Sequence, residues 1–150
     1  MMRDTKEKLF VYWDSETMPD TGVHIPNQVC AATSNCDELF HFEGTTCIID
    51  FLDWLRELAK DCELPVLVHN SQGFDSCLIL NELYKQYVVP DQIFNGAKIL
   101  PLSINGGNIV FKDLLCFFQM PLSAFPKAFG LVEQKIGFFP HFFNTPDHLD

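Results

Sequence analysis

One amphipathic stretch, set between runs of strand-forming residues, places this chain in the α/β class. From Ile48 to Ala59 the apolar residues recur at intervals of three and four, as they do on the buried side of a helix. Thr45 or Thr46 can cap the start of this helix. Because the neighbouring runs are rich in β-branched and aromatic residues, we predict an α/β chain with a mixed sheet.

Local signals predict the remaining elements of one domain spanning residues 1–150. Asn35 and Asp37 suit the turn of an antiparallel meander, and Asn105-Gly106-Gly107-Asn108 is a strong hairpin signal. In chain order we predict strands at 8–14, 28–33, 38–42 and 65–69, a helix at 74–87, hairpin strands at 97–104 and 108–111, and a short helix at 123–129.

The composition limits the classes of function. The net charge of −10 disfavours broad nonspecific binding of nucleic acid, which needs clustered Lys and Arg, but it allows an enzyme that reaches nucleic acid through bound cations. No apolar run has the length to span a bilayer, and the polar start is not a secretory signal, so we expect no membrane partner. The six cysteines lack a CxxC pair and indicate reduced thiols in an intracellular protein.

Two carboxylates, Asp14 and Glu16, follow the first apolar strand. They share one parity with Tyr12, so both project from one face if the strand continues. Chance predicts about 0.6 copies of Asp-x-Glu for this composition. A second copy, Asp61-Cys62-Glu63, falls at the predicted exit of the helix, where solvated side chains are expected. The pattern alone therefore leaves both a metal-binding pair and a polar strand end open.

The segment from Val68 to Asp75 predicts a strand, a turn and the start of a helix. Asn70 and Asp75 suit capping and turning of the chain. The same residues also bring an amide and a carboxylate to the carboxyl end of a central strand, where open α/β sheets place their sites. Carboxylates converging from different strands can hold two Mg²⁺ ions about 4 Å apart, which clamp the attacking and leaving oxygens of a phosphodiester.

These stretches resemble a known family. "VYWDSETM" looks like the first exonuclease motif of family B DNA polymerases, Asp-x-Glu, and "HNSQGFD" looks like the second, Asn-x(2–3)-Phe/Tyr-Asp. The later stretches "NGAKILPL", "MPLSAFPKAFGL" and "KIGFFPHFFNTP" are typical of the protein-primed branch, found in some phages, adenoviruses, linear plasmids and large DNA transposons. The resemblance runs from Lys8 to Pro146 and implies the ribonuclease-H-like 3′→5′ exonuclease region of such a polymerase.

The resemblance implies a catalytic metal site. Asp14 and Glu16 would be metal ligands, and Asp75 would be a further metal-linked carboxylate. The cofactor would be a pair of Mg²⁺ ions, for which Mn²⁺ can substitute. The implied reaction is attack of water on the last phosphodiester of a mispaired DNA 3′ end.

The same resemblance implies substrate-binding residues and partners. Asn70 would contact or orient the 3′-terminal nucleotide, Phe74 would pack beside it, and Lys135 would help to place single-stranded DNA. The partners would be a single-stranded DNA 3′ end and a terminal priming protein.

The chain also departs from the family pattern. The third motif, Tyr-x(3)-Asp, is expected after Asp150, and the polymerase palm, fingers and thumb are absent from these residues. Leu114 stands where many relatives have Ser or Thr, so that DNA-binding site is not carried over. We therefore expect an incomplete fold and little or no exonuclease activity from this chain alone. A separate exonuclease of the same fold and a non-catalytic DNA-binding remnant remain alternatives.

Other residues have plainer explanations. His24, Cys30, Cys36 and His41 could be imagined as a zinc set, but their spacing lacks the usual pairs, so ordinary strand residues are the preferred interpretation. His69 is expected to be a hydrogen-bonded structural histidine. The phenylalanines between 138 and 143 could stack on bases, although packing is the preferred explanation.

Overall fold

The computed structural model describes residues 6–20, 22–69, 75–95 and 98–132, which form a mixed sheet with helices. In chain order the elements are β1 (Val11–Asp20), β2 (Val23–Thr33), β3 (Leu39–Glu43), α1 (Cys47–Leu58), β4 (Leu64–Val68), α2 (Asp75–Lys85), β5 (Asp91–Asn95), β6 (Lys98–Ile104), β7 (Ile109–Asp113) and α3 (Phe125–Phe129). No helix in these ranges is long and apolar enough to cross a membrane.

The strands pair in the order β3-β2-β1-β4-β7-β6-β5. The three central strands, β1, β4 and β7, are parallel, while β2 and β3 on one side and β5 and β6 on the other pair antiparallel. Because the central strands run in one direction, their carboxyl ends meet at a single edge of the sheet. That edge is where the sequence places its polar strand ends.

One face of the sheet is covered by α1 and carries the hydrophobic core. Val11 and Trp13 alternate along β1 with the exposed Tyr12, as the period of a strand requires. The indole of Trp13 lies on the ring of Phe51 from α1, with their centroids 5.0 Å apart. Phe51 is fully buried, so this contact fixes the helix on the sheet.

The first hairpin is longer than the local pattern predicts. β1 continues to Asp20 and β2 begins at Val23, whereas strand-forming residues predict only 8–14 and 28–33. The added segments contain Glu, Pro, Asp and Asn, which have little strand preference of their own. Cross-strand pairing supplies what propensity lacks, with a β-bulge after Glu16.

Two further differences concern the region after α2. The helix ends at Lys85, earlier than predicted, and Tyr87 has a positive φ of 57° that a helix cannot contain. Strand β5, at Asp91–Asn95, was not predicted, because it is an edge strand that depends on pairing with β6. The predicted hairpin of β6 and β7 is confirmed, and its turn is a short 3-10 segment at Asn105–Gly107.

Candidate functional site

Acidic residues collect at the carboxyl edge of the three parallel strands. Tyr12 of β1 pairs with Leu67 of β4, and Val68 pairs with Asp113 of β7. This register puts Asp14, two residues beyond the segment of β1 that pairs with β4, at the same edge as Asp113. The parallel topology therefore brings together carboxylates that are about 100 residues apart in the sequence.

Asp14 and Glu16 lie on the open face of β1, as their parity predicts. Trp13 and Ser15 are buried on the core side, whereas Asp14 is exposed and Glu16 is half-buried. Although more than a third of Asp14 is exposed, the surrounding protein removes enough water from its carboxylate to raise its pKa, and a backbone hydrogen bond from Ser15 partly offsets that effect. This strand end is thus already an unfavourable place for negative charge.

Asp75 is the first residue of α2 and is 6% exposed. The hydroxyl of Ser15 donates a hydrogen bond to its carboxylate Oδ1. The pKa of Asp75 is raised to about 6, and burial is the largest cause. The hydrogen bond from Ser15 lowers this pKa, and the charges of Asp14 and Asp113 raise it. Asp75 therefore lies close enough to Asp14 for the charge of Asp14 to raise its pKa. Its side chain is nevertheless hydrogen-bonded to Ser15, which lies on the face of β1 opposite to that of Asp14.

The donor chemistry at this edge suits a hard divalent cation. Carboxylate oxygens are the ligands that Mg²⁺ takes in proteins. The pKa of Asp75 is raised by burial and also by the charges of Asp14 and Asp113, and a cation would relieve the repulsion from those charges. Within the ranges that the structure describes, no three His, Cys, Asp or Glu side chains are already arranged around a metal position. The metal roles of Asp14, Glu16 and Asp75 therefore stay predictions, and Asp75 would have to turn from Ser15 to take part.

The three residues assigned to the substrate lie outside the described residues. Asn70 and Phe74 belong to the segment between β4 and α2, and Lys135 follows the last described residue, Val132. Their roles stay predictions. The turn that the sequence predicts at residues 70–73 also lies outside the described residues.

Asp113 is a member of this acidic edge that the sequence reasoning missed. It ends β7, is 8% exposed and accepts a hydrogen bond from the backbone N–H of Leu115 at 2.9 Å. Its charge acts on the same Asp75 carboxylate as that of Asp14. A signal was present, because Asp113 follows an apolar strand just as Asp14 does, but only the strand order shows that the two ends are neighbours.

A cavity of about 620 Å³ opens on the same face as Asp14. Its lining combines residues of β1 and of the end of β4 with one residue just after β7 and two in or just before α3: Tyr12, Trp13, Asp14, Leu67, Val68, His69, Leu114, Leu122 and Phe125. His69 is hydrogen-bonded, as predicted, because its Nε2 lies 2.9 Å from the carbonyl oxygen of Met120. Its ring also meets Phe125 edge-on at 5.5 Å, so the histidine ties the strand end to the cavity wall.

Two motif copies elsewhere in the chain do not join this site. Asp61 is exposed and Glu63 is half-buried just past α1, in agreement with their predicted place at the helix exit. A Tyr-x(3)-Asp pattern also occurs at Tyr87–Asp91, ahead of the position that the resemblance requires. Asp91 begins β5, which lies four strands away from β1 in the sheet. At the usual spacing of neighbouring strands, the two strands are about 19 Å apart.

The four residues considered as a zinc set are not gathered at one point. Cys36 lies 3.2 Å from the hydroxyl of Thr33, and His24 lies 3.1 Å from that of Thr17. Only Cys30 and His41 meet, with 3.2 Å between Sγ and Nδ1.

No family model matches this chain, and no curated protein matches it in sequence. Solved structures do match its fold. A phi29 DNA polymerase complexed with primer-template DNA has a TM-score of 0.70 and 15% identity, over 94% of this chain and 28% of that one. The family B DNA polymerase from the hyperthermophilic archaeon Pyrobaculum calidifontis has a TM-score of 0.63 and 20% identity, over 93% of this chain and 21% of that one.

These likenesses confirm the predicted ribonuclease-H-like exonuclease fold with a mixed sheet. They also confirm, at the level of the fold, the resemblance to family B DNA polymerases that the sequence motifs indicate. The chain spans about a quarter of the length of these polymerases.

Proposed function

We propose that the chain is the 3′→5′ exonuclease region of a family B DNA polymerase of the protein-primed branch. The observation that carries this proposal is the position of Asp14 and Asp75, which come from two separate motifs and lie near enough for the charge of one to act on the other. The fold that holds them is similar to a phi29 DNA polymerase and to an archaeal family B DNA polymerase. Either motif alone is a weak signal, whereas carboxylates from both at one edge of the sheet suit a nuclease site.

The proposed reaction is hydrolysis of the last phosphodiester of a DNA 3′ end. Asp14 and Glu16 would hold Mg²⁺ from the open face of β1, with Asp75 as a further carboxylate. When bound, the metal would lower the pKa of the attacking water and stabilise charge on the phosphate. Ser15 donates a hydrogen bond to Asp75, and Asp75 would have to leave that bond to bind the metal.

The cavity beside Asp14 supports a single-stranded substrate. It has room for a nucleotide, and its lining offers the rings of Tyr12, His69 and Phe125 as apolar surfaces for a base. In this proposal the terminal base enters the cavity and its phosphate faces Asp14. Asn70, Phe74 and Lys135 would contact the same DNA end.

The finer parts of the proposal concern the whole polymerase. DNA synthesis would belong to the palm, fingers and thumb of the complete enzyme, and a terminal priming protein would be its partner. The alternatives are a separate exonuclease of the same fold and a non-catalytic DNA-binding remnant. A measurement of metal binding distinguishes the non-catalytic remnant from the polymerase exonuclease region and from the separate exonuclease.

The decisive experiment is calorimetric titration of the purified chain with Mn²⁺ and Mg²⁺. We expect saturable binding that Asp14→Asn with Glu16→Gln removes. The matched control is Asp61→Asn with Glu63→Gln, which changes the same two residue types in the same spacing at the exit of α1. Absence of binding in a folded sample would favour the non-catalytic remnant.

A digestion assay tests the reaction itself. A 5′-labelled single-stranded oligonucleotide is incubated with the chain and Mn²⁺, and shortening from the 3′ end is followed on a gel. Because the resemblance implies a further aspartate from the third motif, which is expected after Asp150, we expect weak digestion or none from these residues alone. Rapid digestion that survives the change of Asp14 and Glu16 would contradict the assignment of the site.

A further inference from the structure

The open face of the sheet holds a row of three metal-binding residue types next to the acidic edge. Asp14 of β1 pairs with Cys30 of β2, and Cys30 pairs with His41 of β3. Directly paired residues on antiparallel strands point to the same face, so these three side chains lie side by side across three strands. The Sγ of Cys30 and the Nδ1 of His41 are 3.2 Å apart.

The row is reachable from solvent and has negative surroundings. His41 is exposed and Cys30 is half-buried. Burial raises the pKa of the Cys30 thiol, the charge of Asp14 raises it further, and Glu16 and Glu43 add smaller effects in the same direction. The same carboxylates that disfavour a bare thiolate attract a cation, and a bound cation would reverse their effect on the thiol.

We propose that Cys30 and His41 bind a thiophilic divalent cation of the Zn²⁺ class, with the carboxylate of Asp14 as third ligand and water completing the shell. Sulfur and imidazole nitrogen are ligands that select Zn²⁺ over Mg²⁺. In a tetrahedral site the sulfur and nitrogen ligands stand about 3.6 Å apart, so the observed pair has to open only slightly.

The third ligand requires a movement. No three His, Cys, Asp or Glu side chains in the described ranges already surround one metal position. In the proposed site the metal is first bound by Cys30 and His41, and Asp14 becomes the third ligand by rotating its side chain. Asp14 is exposed and therefore able to rotate. On binding, the thiol gives its proton to solvent and the sulfur forms the bond to the metal, so no oxidant or reductant is needed.

The consequence concerns control of the acidic edge. A cation bound to Cys30 and His41 would also bind the carboxylate of Asp14, which the proposed nuclease site needs as a ligand for Mg²⁺. Zn²⁺ would then inhibit metal-dependent digestion by competition for one carboxylate. This consequence rests on the proposed function, whereas the binding of the thiophilic cation does not.

The test uses Co²⁺ as a spectroscopic substitute for Zn²⁺. The chain is titrated with Co²⁺, and the near-ultraviolet absorption from thiolate to cobalt charge transfer is followed, which reports a metal–sulfur bond independently of any nuclease activity. Cys36, Cys77 and Cys116 are exposed, so all three are first changed to Ser to remove competing thiols. We expect one equivalent of Co²⁺ to produce the absorption band. Added Zn²⁺ should displace Co²⁺ and abolish the band.

Variants then assign the ligands. Cys30→Ser is expected to abolish the band, with Cys30→Ala as a second variant if the first does not fold. His41→Ala should weaken binding by roughly tenfold or more, since even an outer partner of a metal ligand is worth 10–100-fold. Asp14→Asn should weaken it less than His41→Ala, because water can replace a carboxylate. Cys62→Ser is the matched control, a half-buried cysteine beyond α1 that should leave the band intact.

Two outcomes would overturn the inference. One is a band that persists in a folded Cys30 variant, which would place the metal on another thiol. The other is the absence of a band from the folded chain at millimolar Co²⁺. A chain that gives the cobalt band but does not bind Mg²⁺ would refute only the proposed function. The two failures are therefore distinguishable.

Discussion

The two faces of β1 differ although they belong to the same ten residues. On the closed face, Val11 is fully buried and Trp13 is 6% exposed beneath α1. On the open face, Tyr12 is 44% exposed and Asp14 lies beside a cavity. Alternation along the strand therefore places neighbouring residues in opposite surroundings, with one side packed in the core and the other open to solvent and to the proposed site.

The contrast shows how this fold tolerates an unfavourable site. Burial and, after it, the nearby carboxylates raise the pKa of Asp75, so the charged form of Asp75 destabilises the folded chain. The apolar packing on the closed face must offset that cost. Phe51, Leu52 and Leu55 of α1 are fully buried against the sheet and supply it. The two faces thus differ in composition, but the stability from the closed face allows the folded chain to tolerate the acidic edge.

The largest effect is expected on the closed face. Phe51→Ala should lower the free energy of unfolding by about 3–5 kcal/mol, because it removes a fully buried ring that contacts Trp13 and leaves a cavity. Urea unfolding followed by tryptophan fluorescence measures this. The matched change on the open face, Tyr12→Ala, should cost about 1 kcal/mol or less. Equal losses from the two variants would break the comparison.

The next effect concerns Asp75 and depends on pH. Its pKa is about 6 in the folded chain against an ordinary 3.8, so the folded state binds the proton more tightly. Stability is therefore highest below pH 4 with respect to this group and falls as pH rises towards 6 and beyond, by roughly 3 kcal/mol at most. Asp75→Asn should remove this dependence and make the metal-free chain more stable at pH 8.

Urea unfolding at pH 4.5 and pH 8 in the presence of a chelator measures this effect. Asp61→Asn is the control, because that exposed carboxylate should leave the pH dependence of stability unchanged. If Asp75→Asn were less stable than the parent chain at pH 8, the acidic edge would be a source of stability and the contrast between the faces would fail.

A smaller effect is expected at the cavity. His69→Ala removes the hydrogen bond to the carbonyl of Met120 and the edge-on contact with Phe125, which should cost about 1 kcal/mol. Its effect on function should be larger than its effect on stability. Fluorescence anisotropy with a labelled single-stranded oligonucleotide should show weaker binding, whereas a closed-face change such as Leu55→Val should leave the affinity of the folded fraction unchanged.

The smallest effect is expected on the solvent side of α1. Thr46 stands at the N-cap, as predicted, but its hydroxyl donates to the Asp50 side chain at 3.0 Å instead of accepting from the backbone. Thr46→Ala should therefore cost less than about 0.5 kcal/mol, below the usual value for a cap of about 1 kcal/mol. Thermal unfolding measures the difference. A loss above 1 kcal/mol would show that the outer side of α1 also carries the stability of the closed face.

Much of the fold could be predicted from the sequence, because its signals are local. The apolar spacing of 48–59 predicts α1 almost to the residue, and the parity of Asp14 and Glu16 predicts their common face. The extension of β1 to Asp20 and the existence of β5 could not be predicted in this way. Both depend on hydrogen bonds to a partner strand, which residue preferences do not record.

By itself, then, the sequence determined which residues stand at strand ends and on which face they project, because periods of 2.0 and 3.6 residues are properties of the local backbone. Only the tertiary structure decided which of those ends meet. The parallel placement of β1, β4 and β7 brought Asp113 into the acidic edge, and the register of β2 and β3 joined Cys30 to His41. Pairing between distant strands is set by the packing of the whole chain, and no single stretch contains it.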